Sequence, residues 1–421
     1  MRAYVRWGIA GACAAAIAWG GAVTHNAIMN GLRIGKGVVH TGSMGYSTDT
    51  AGGATAVFSG AIALGTSSAH QAHEGAQAEE AQAGKIEARA WRGLNVTGAP
   101  PGAALLKGPW ARGLPRSAAA AAVEKEKADE PPLFSFSVLS DVHVMASDPV
   151  SQRLLRAALA DHHALRPGSK LLVLNGDLTD GTERDYTSLL KLLGDVPHAP
   201  VQATMGNHDY YGVWHTPSGG MDTTQMNPAW SSQQAVALFD RMMGYDKPYH
   251  ELVVDGYRFL FLSGEAYRDV DASIGEDAYL SPAQLDWLRE RLDDTGLSTA
   301  ERRKPVFVFL HQPLPHTLDG TDAERGVVQH EQLRALLEEH PNVILFSGHT
   351  HWNLATTSQV KRLKFTAASS ASIRRVWSGE NKPETKTISQ SLIVDVYPGR
   401  VVIKRREHTS KRWIQPDHVI D

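Results

Sequence analysis

Five short acidic and histidine-rich motifs, Asp141-Val-His143, Gly176-Asp177-Leu-Thr-Asp180, Gly206-Asn207-His208-Asp209, His311 and Gly348-His349-Thr-His351, each follow an apolar run. Carboxylate, amide and imidazole donors without a thiolate suit hard or borderline cations, and a carboxylate such as Asp177 can give one oxygen to each of two ions. Two divalent ions held in this way suit phosphate chemistry, where metal charge offsets oxygen charge.

Each motif has a plain alternative when taken singly. Asp141 and His143 are two apart, so in extended chain their side chains leave the same face and can address one ion. An isolated pair of that kind rarely binds metal. Asp177 follows the run 171–175 and Gly176, whose missing side chain lets backbone approach closely, yet an aspartate there could equally cap a helix. Asn207 and His208, between Gly206 and Asp209, put a neutral amide oxygen beside an imidazole. His311 comes directly after 306–310, and Pro313 ends that strand, which leaves the imidazole at its tip. A lone histidine there is usually structural. His349 and His351 again alternate by two behind 343–347, with Gly348 relieving crowding. Taken together in this order, the motifs are not a coincidence.

Positioning these groups takes strands whose carboxyl ends share one crevice. Beyond Pro131 and Pro132 the pattern is buried strands alternating with amphipathic helices. Strands are expected at 133–140, 170–174, 201–204, 259–263, 306–310 and 343–346, with helices at 149–165, 186–193, 281–292 and 331–339. Ser281 and Pro282 mark a helix start, with Leu285, Leu288 and Leu292 on one face for packing. Residues 365–367, 392–397 and 401–404 read as antiparallel strands closing a second sheet, the last two joined at Pro398 and Gly399. The sheets are then expected to pack face to face.

This ordered set resembles the calcineurin-like metallophosphoesterase superfamily, with Asp-x-His at Asp141, Gly-Asp-x-x-Asp at Gly176, Gly-Asn-His-Asp at Gly206, then His311 and Gly-His-x-His at Gly348. The likeness spans roughly residues 134–352. It implies an α/β fold, a four-layer αββα sandwich of two mixed sheets flanked by helices. One ion would be held by Asp141, His143, Asp177 and His351, the other by Asp177, Asn207, His311 and His349, with Asp177 bridging. It further implies a metal-bridging hydroxide attacking phosphorus in line, His208 protonating the leaving oxygen as general acid, and Asp180 orienting His208. Asp209 is expected to support the local turn. Gly181 stands where the protein serine/threonine phosphatases carry arginine, and Asp180 where purple acid phosphatases carry a metal-bound tyrosine. The pattern is closer to the class III cyclic-nucleotide phosphodiesterase and general bacterial phosphoesterase branches. Mn²⁺ and Fe lead as the ions, and Zn²⁺ is compatible.

The expected reaction is therefore hydrolysis of a phosphodiester or phosphomonoester. The rival is an inactive, metal-stabilised binding scaffold at the cell surface. The insertion 210–248, with Tyr210, Tyr211, Trp214, His215 and Trp230, could wall the crevice and stack on a ring, or could simply fold against the sheet. His316, Arg374 and Arg375 are further candidates for phosphate contact. The chain of 421 residues is 42% hydrophobic and 21% charged, with a formal charge of −3, so it shows no basic excess for nucleic acid. Its one cysteine, Cys13, lies in an apolar run at residues 7–23 behind Arg2 and Arg6. That run reads as a signal peptide or marginal membrane anchor, and 24–132, rich in Ala, Gly, Ser and Thr, as a mostly disordered linker ahead of an enzyme domain at 133–421. Export would place the enzyme outside the cell or on the outer face of the membrane. Its substrates there would be phosphorylated small molecules or wall and lipid phosphoesters, with a possible membrane tether through the N-terminus.

Overall fold

The computed structural model describes residues 130–421 except 219, 295, 297, 323 and 324, together with the two-residue strands β1 (Ser47–Thr48) and β2 (Ala54–Thr55), which pair antiparallel. The apolar run at 7–23 and most of the proposed linker lie outside the described residues. Among the described residues no helix is long and apolar enough to cross a membrane.

Period-two side-chain alternation builds the core. In β8 (Val306–Phe309), Phe307 and Phe309 enter the cluster between the sheets, whereas Val308 and the following Leu310 join the cluster beneath the outer helices. β3 (Phe134–Leu139) does the same, with Phe134, Phe136 and Val138 inward and Leu139 outward. The Phe136 ring lies edge-on to Phe307 and Phe259, with centroids 4.9 and 5.0 Å away.

Two six-stranded mixed sheets result. The first runs β14 (Arg412–Ile420), β13 (Arg400–Glu407), β12 (Gln390–Tyr397), β3, β4 (Leu171–Asn175) and β5 (Val201–Thr204), with β3, β4 and β5 parallel. The second runs β10 (Val360–Arg362), β11 (Thr366–Ser369), β9 (Val343–Ser347), β8, β7 (Tyr257–Phe261) and β6 (His250–Val254). Helices α1 (Pro149–Leu165), α2 (Glu183–Asp195) and α3 (Ser232–Met243) share a core with the outer face of the first sheet. Helices α4 (Pro282–Leu292) and α6 (His330–Glu338) do so for the second, and α5 (Thr299–Arg302) is a single capped turn. This is the four-layer αββα sandwich.

The C-terminal strands depart from the sequence reading. β12 and β13 are antiparallel neighbours, but they extend the first sheet through β3, while β11 lies parallel to β9 in the second. Alternation shows which residues face the core but not which strand lies alongside. The stretch read as an insertion contains α3, begun by the Ser231 side chain accepting from Gln234 N and closed by left-handed Gly244. Trp214 is buried in the core under these helices and Trp230 packs against it, so the folding role applies to both.

Helix α1 is clamped to the first sheet by a buried polar chain. Ser137 Oγ lies 2.8 Å from His162 Nδ1, His162 Nε2 lies 2.7 Å from Ser391 Oγ, and that hydroxyl lies 2.7 Å from His408 Nε2. Asp161 accepts from His408 Nδ1 and from Arg406. Burial holds both imidazoles below their ordinary value of 6.5, and Asp161 offsets this only in part. They stay neutral in the fold and gain a proton on unfolding, so their contribution is complete above about pH 6.5 and is lost as pH falls toward their lowered folded values. Asp161 meets a burial penalty that its bonds to His408 and Arg406 outweigh, so its contribution disappears only in stronger acid. In urea unfolding between about pH 7.5 and about pH 5.5, stability is expected to fall with a slope that His408→Gln reduces by up to about 1.4 kcal/mol per pH unit. An unchanged slope would show that His408 is not held neutral.

Candidate metal centre

The expected ligands gather at the carboxyl ends of β3, β4, β5, β8 and β9. Asp141, His143, Asp177 and His351 present donor atoms that all lie within 4.8 Å of one another, and all four residues are largely withdrawn from solvent. His143 Nε2 and His351 Nε2 stand 3.4 Å apart, His351 Nε2 is 2.8 Å from Asp141 Oδ1, and His143 Nε2 is 3.7 Å from Asp177 Oδ2. Toward the other side, His311 Nε2 is 3.3 Å from Asp177 Oδ2, and His349 Nδ1 is 3.0 Å from Asn207 Oδ1. Asp177 Oδ2 thus neighbours a histidine of each group, as Asp141 Oδ1 does.

The convergence does not come from extended chain. β3 ends at Leu139, β4 at Asn175 and β9 at Ser347, and the candidate donors beyond them turn left-handed: φ is 53° at Asp141, 42° at His143, 50° at Asp177, 67° at His349 and 58° at His351. Aspartate and histidine tolerate this region better than most residues, at a cost of order 1–3 kcal/mol each. The loops hold one another there. Asp141 N donates to Gly176 O, His143 N to Asp177 O and Gly348 N to His311 O, while His349 N reaches both Asp141 carboxylate oxygens at 3.2 Å.

Two glycines make the close approach possible. A Cβ on Gly206 would run into Asp177 Oδ1, and one on Gly348 into Ser140 Oγ and Asp141 Oδ2. Gly348→Ala is expected to displace the Asp141 carboxylate and weaken metal binding by about 10–100-fold. Competition with a chelating dye measures this, and unchanged affinity would show that the loop yields instead.

The residues fit divalent ions by their unsatisfied atoms. Asn175 O can only accept, so His311 Nδ1 must carry a proton at 2.8 Å from it, which leaves the Nε2 lone pair of the neutral ring facing two carboxylates. That buried Nε2 has no hydrogen-bond partner. A lone pair aimed at carboxylates is repulsive unless a cation lies between them. Without a metal only a proton can fill that role: burial opposes charge on His311, but Asp177 and Asp141 overcome it and push the imidazole up to about 9. Burial, with His208 and His351, holds His143 well below its usual value, hence neutral and able to donate a lone pair.

His208 adjoins this cluster, and its ring, His143 and Asp180 also present donor atoms within 4.8 Å of one another. Its N–H donates to Asp177 Oδ1 at 2.9 Å, its Nδ1 is 3.1 Å from Asp180 Oδ1, and its ring centroid is 4.4 Å from that of His143. Burial works against its charge, and Asp177, Asp180 and Glu276 more than compensate, raising the imidazole above 6.5.

Asp209 behaves as the expected turn support. It accepts from the backbone N–H groups of Leu178, Thr179 and Gly206 and from Tyr186 OH, welding the loop after β4 to that after β5. Burial and Asp177 push its carboxyl up to about 6. The sequence reading missed Ser140, whose Oγ lies 2.5 Å from Asp141 Oδ2, and Asn175, whose carbonyl fixes His311. Only their places beside the motifs could have pointed to them. Tyr211, expected to wall the crevice or to fold against the sheet, stacks its ring on His208 with centroids 3.9 Å apart. Of the residues singled out for phosphate contact, Arg374 is engaged with Asp148 at the start of α1 and His316 with Asp322.

With this geometry established, the model of calcineurin-like phosphoesterases matches residues 134–353, just over half of the chain, and the chain belongs to that family. It is thereby a metal-dependent phosphoester hydrolase with a dinuclear divalent site. A probable glycerophosphodiester phosphodiesterase, GpdQ, of Arcobacter nitrofigilis is 24% identical over 243 residues, 55% of this chain and 76% of that protein. Among solved structures, a dimetal phosphatase from Danio rerio aligns over 69% of this chain and 99% of its own, at 16% identity and a TM-score of 0.48. The purple acid phosphatase PPD1 of yellow lupin aligns over 69% and 54%, at 10% identity and a TM-score of 0.47.

Proposed function

We propose that the chain hydrolyses a phosphodiester bearing an alkoxide leaving group, with one divalent ion held by Asp141, His143, Asp177 and His351 and a second by Asp177, Asn207, His311 and His349. The observation that carries the reading is His208, fixed against Asp180 at 3.1 Å and by its own N–H to Asp177, beside the donor cluster. An alkoxide is a poor leaving group and needs a proton, so a fixed imidazole at that point has a purpose.

Two bound ions, Mn²⁺ or Fe leading and Zn²⁺ compatible, supply positive charge for the phosphoryl oxygens and activate a water. The chain's own groups do the rest. Asp180 accepts from His208 Nδ1–H, which leaves Nε2–H free to protonate the oxygen that departs from phosphorus. Asp177 fixes the backbone of His208, so donor cluster and acid keep one relative position. The glycerophosphodiester named for the Arcobacter relative supports a diester over a monoester. An inactive scaffold is not favoured, because every donor position and His208 are filled.

The test uses the full chain, stripped of metal and reloaded with Mn²⁺, on a glycerophosphodiester, bis-p-nitrophenyl phosphate and p-nitrophenyl phosphate. The expected result is metal-dependent turnover with a higher kcat/KM for the diesters. A higher value for the monoester would overturn the diester assignment. We also infer export from the apolar run behind Arg2 and Arg6, with wall or lipid phosphoesters or small phosphorylated molecules as substrates and the N-terminus as a membrane tether where it is retained. Mass spectrometry of the protein's N-terminus in cells and medium checks this.

A further inference from the structure

Glu276 lies on the loop between β7 and α4, 69 residues beyond Asn207, and four donors converge on its carboxylate. Oε2 accepts from Asn207 Nδ2 at 2.9 Å and from Tyr211 OH at 3.2 Å. Oε1 accepts from Tyr267 OH at 2.7 Å and pairs with Arg268 Nη2 at 2.7 Å. The Glu276 carbonyl accepts from the side chain of Gln312, the residue after His311, so its backbone is tied to the metal centre as well.

An amide such as Asn207 can face a neighbour with either end, and nothing in its own shape decides which. A carboxylate offers only acceptors, so it selects the NH₂ end. The Oδ1 end is thereby turned the other way, where it stands 3.0 Å from His349 Nδ1. Tyr211, held by the same Oε2, is the ring stacked on His208. One acidic group thus adjoins both a donor of the second ion and the acid.

We propose that Glu276 is a positioning residue: its carboxylate fixes the Asn207 amide with the oxygen toward the second metal position and holds Tyr211 against His208. The proposal rests on the two-ion reading above. Loss of the carboxylate frees Asn207 to rotate and present NH₂, which cannot bind a cation, and leaves the donors of the first ion untouched. Glutamine at 276 can keep its oxygen toward Asn207 and turn its NH₂ toward the Tyr267 hydroxyl, losing only Arg268.

The experiment is equilibrium dialysis of the full, metal-stripped chain against Mn²⁺, with bound metal counted by mass spectrometry, for the wild type, Glu276→Ala, Glu276→Gln, Asn207→Ala and the double alanine variant. The expected result for Glu276→Ala is a first ion bound as in wild type and a second bound about 10–100-fold more weakly. Glu276→Gln should recover most of that loss, and the double variant should bind no more weakly than Asn207→Ala alone. Two ions bound by Glu276→Ala with wild-type affinity would overturn the proposal. So would equal weakening of both ions, or additive losses in the double variant, since these indicate a general structural role. A wild type that binds a single ion would instead refute the two-ion reading, and the role of Glu276 with it.

Discussion

Asp177→Asn is expected to lower kcat/KM by roughly 10³ or more, the equivalent of about 4 kcal/mol of transition-state stabilisation supplied by correctly held metal charge. Asp177 faces both donor groups through a single oxygen, with Oδ2 3.7 Å from His143 Nε2 and 3.3 Å from His311 Nε2. Burial penalises its charge, yet His311, His208 and His143 keep it ionised well below the usual carboxylate range. Asparagine keeps the shape and can still accept from His208 N through its oxygen, so the loop should survive. What disappears is the negative charge shared between two cations. The rise in Tm that Mn²⁺ gives the wild type should therefore shrink in the variant along with turnover. Full activity in Asp177→Asn would mean that no bridging carboxylate is needed.

His208→Ala is expected to reduce kcat by about 10²–10⁴-fold on esters with an alkoxide leaving group, the usual range for a lost general acid. The deficit should be much smaller on p-nitrophenyl esters, whose leaving group departs without a proton. Metal content is expected not to change, because the proposed ligand sets leave out His208, which is held by Asp180 and the Tyr211 ring. Asp180→Asn should act in the same direction with a smaller effect, since it removes the orienting acceptor but leaves the imidazole. Equal losses on both classes of ester, with metal retained, would show that His208 contacts the phosphoryl group and does not protonate the leaving oxygen.

The motifs made the convergence of the candidate donors legible because each ends a buried strand, and strand ends in such a sheet meet. Their order along the chain carried the fold. Local geometry was not legible: Asp141 and His143 looked like neighbours on one face of an extended strand, whereas both lie past the end of β3 at φ of 53° and 42°. Sequence spacing cannot separate these, because both conformations can bring side chains two apart to one point. Sheet membership of β12 was also hidden, since an alternating strand fits any edge and its pairing with β3 spans over 250 residues. Helix α3 was readable from Ser231 and Gly244 but lay inside a stretch whose tryptophans invited a binding role. Glu276 carried no signal at all, because a lone glutamate in a loop is ordinary until the fold places Asn207 2.9 Å away.

If two ions held together through Asp177 make this chain an esterase, titrating Mn²⁺ into the stripped full chain while following diester hydrolysis will show it. Turnover is expected to be negligible without metal and to rise until it levels off at two equivalents per chain. Turnover that ignores added and removed metal, or that saturates at one equivalent, would contradict the two-ion reading.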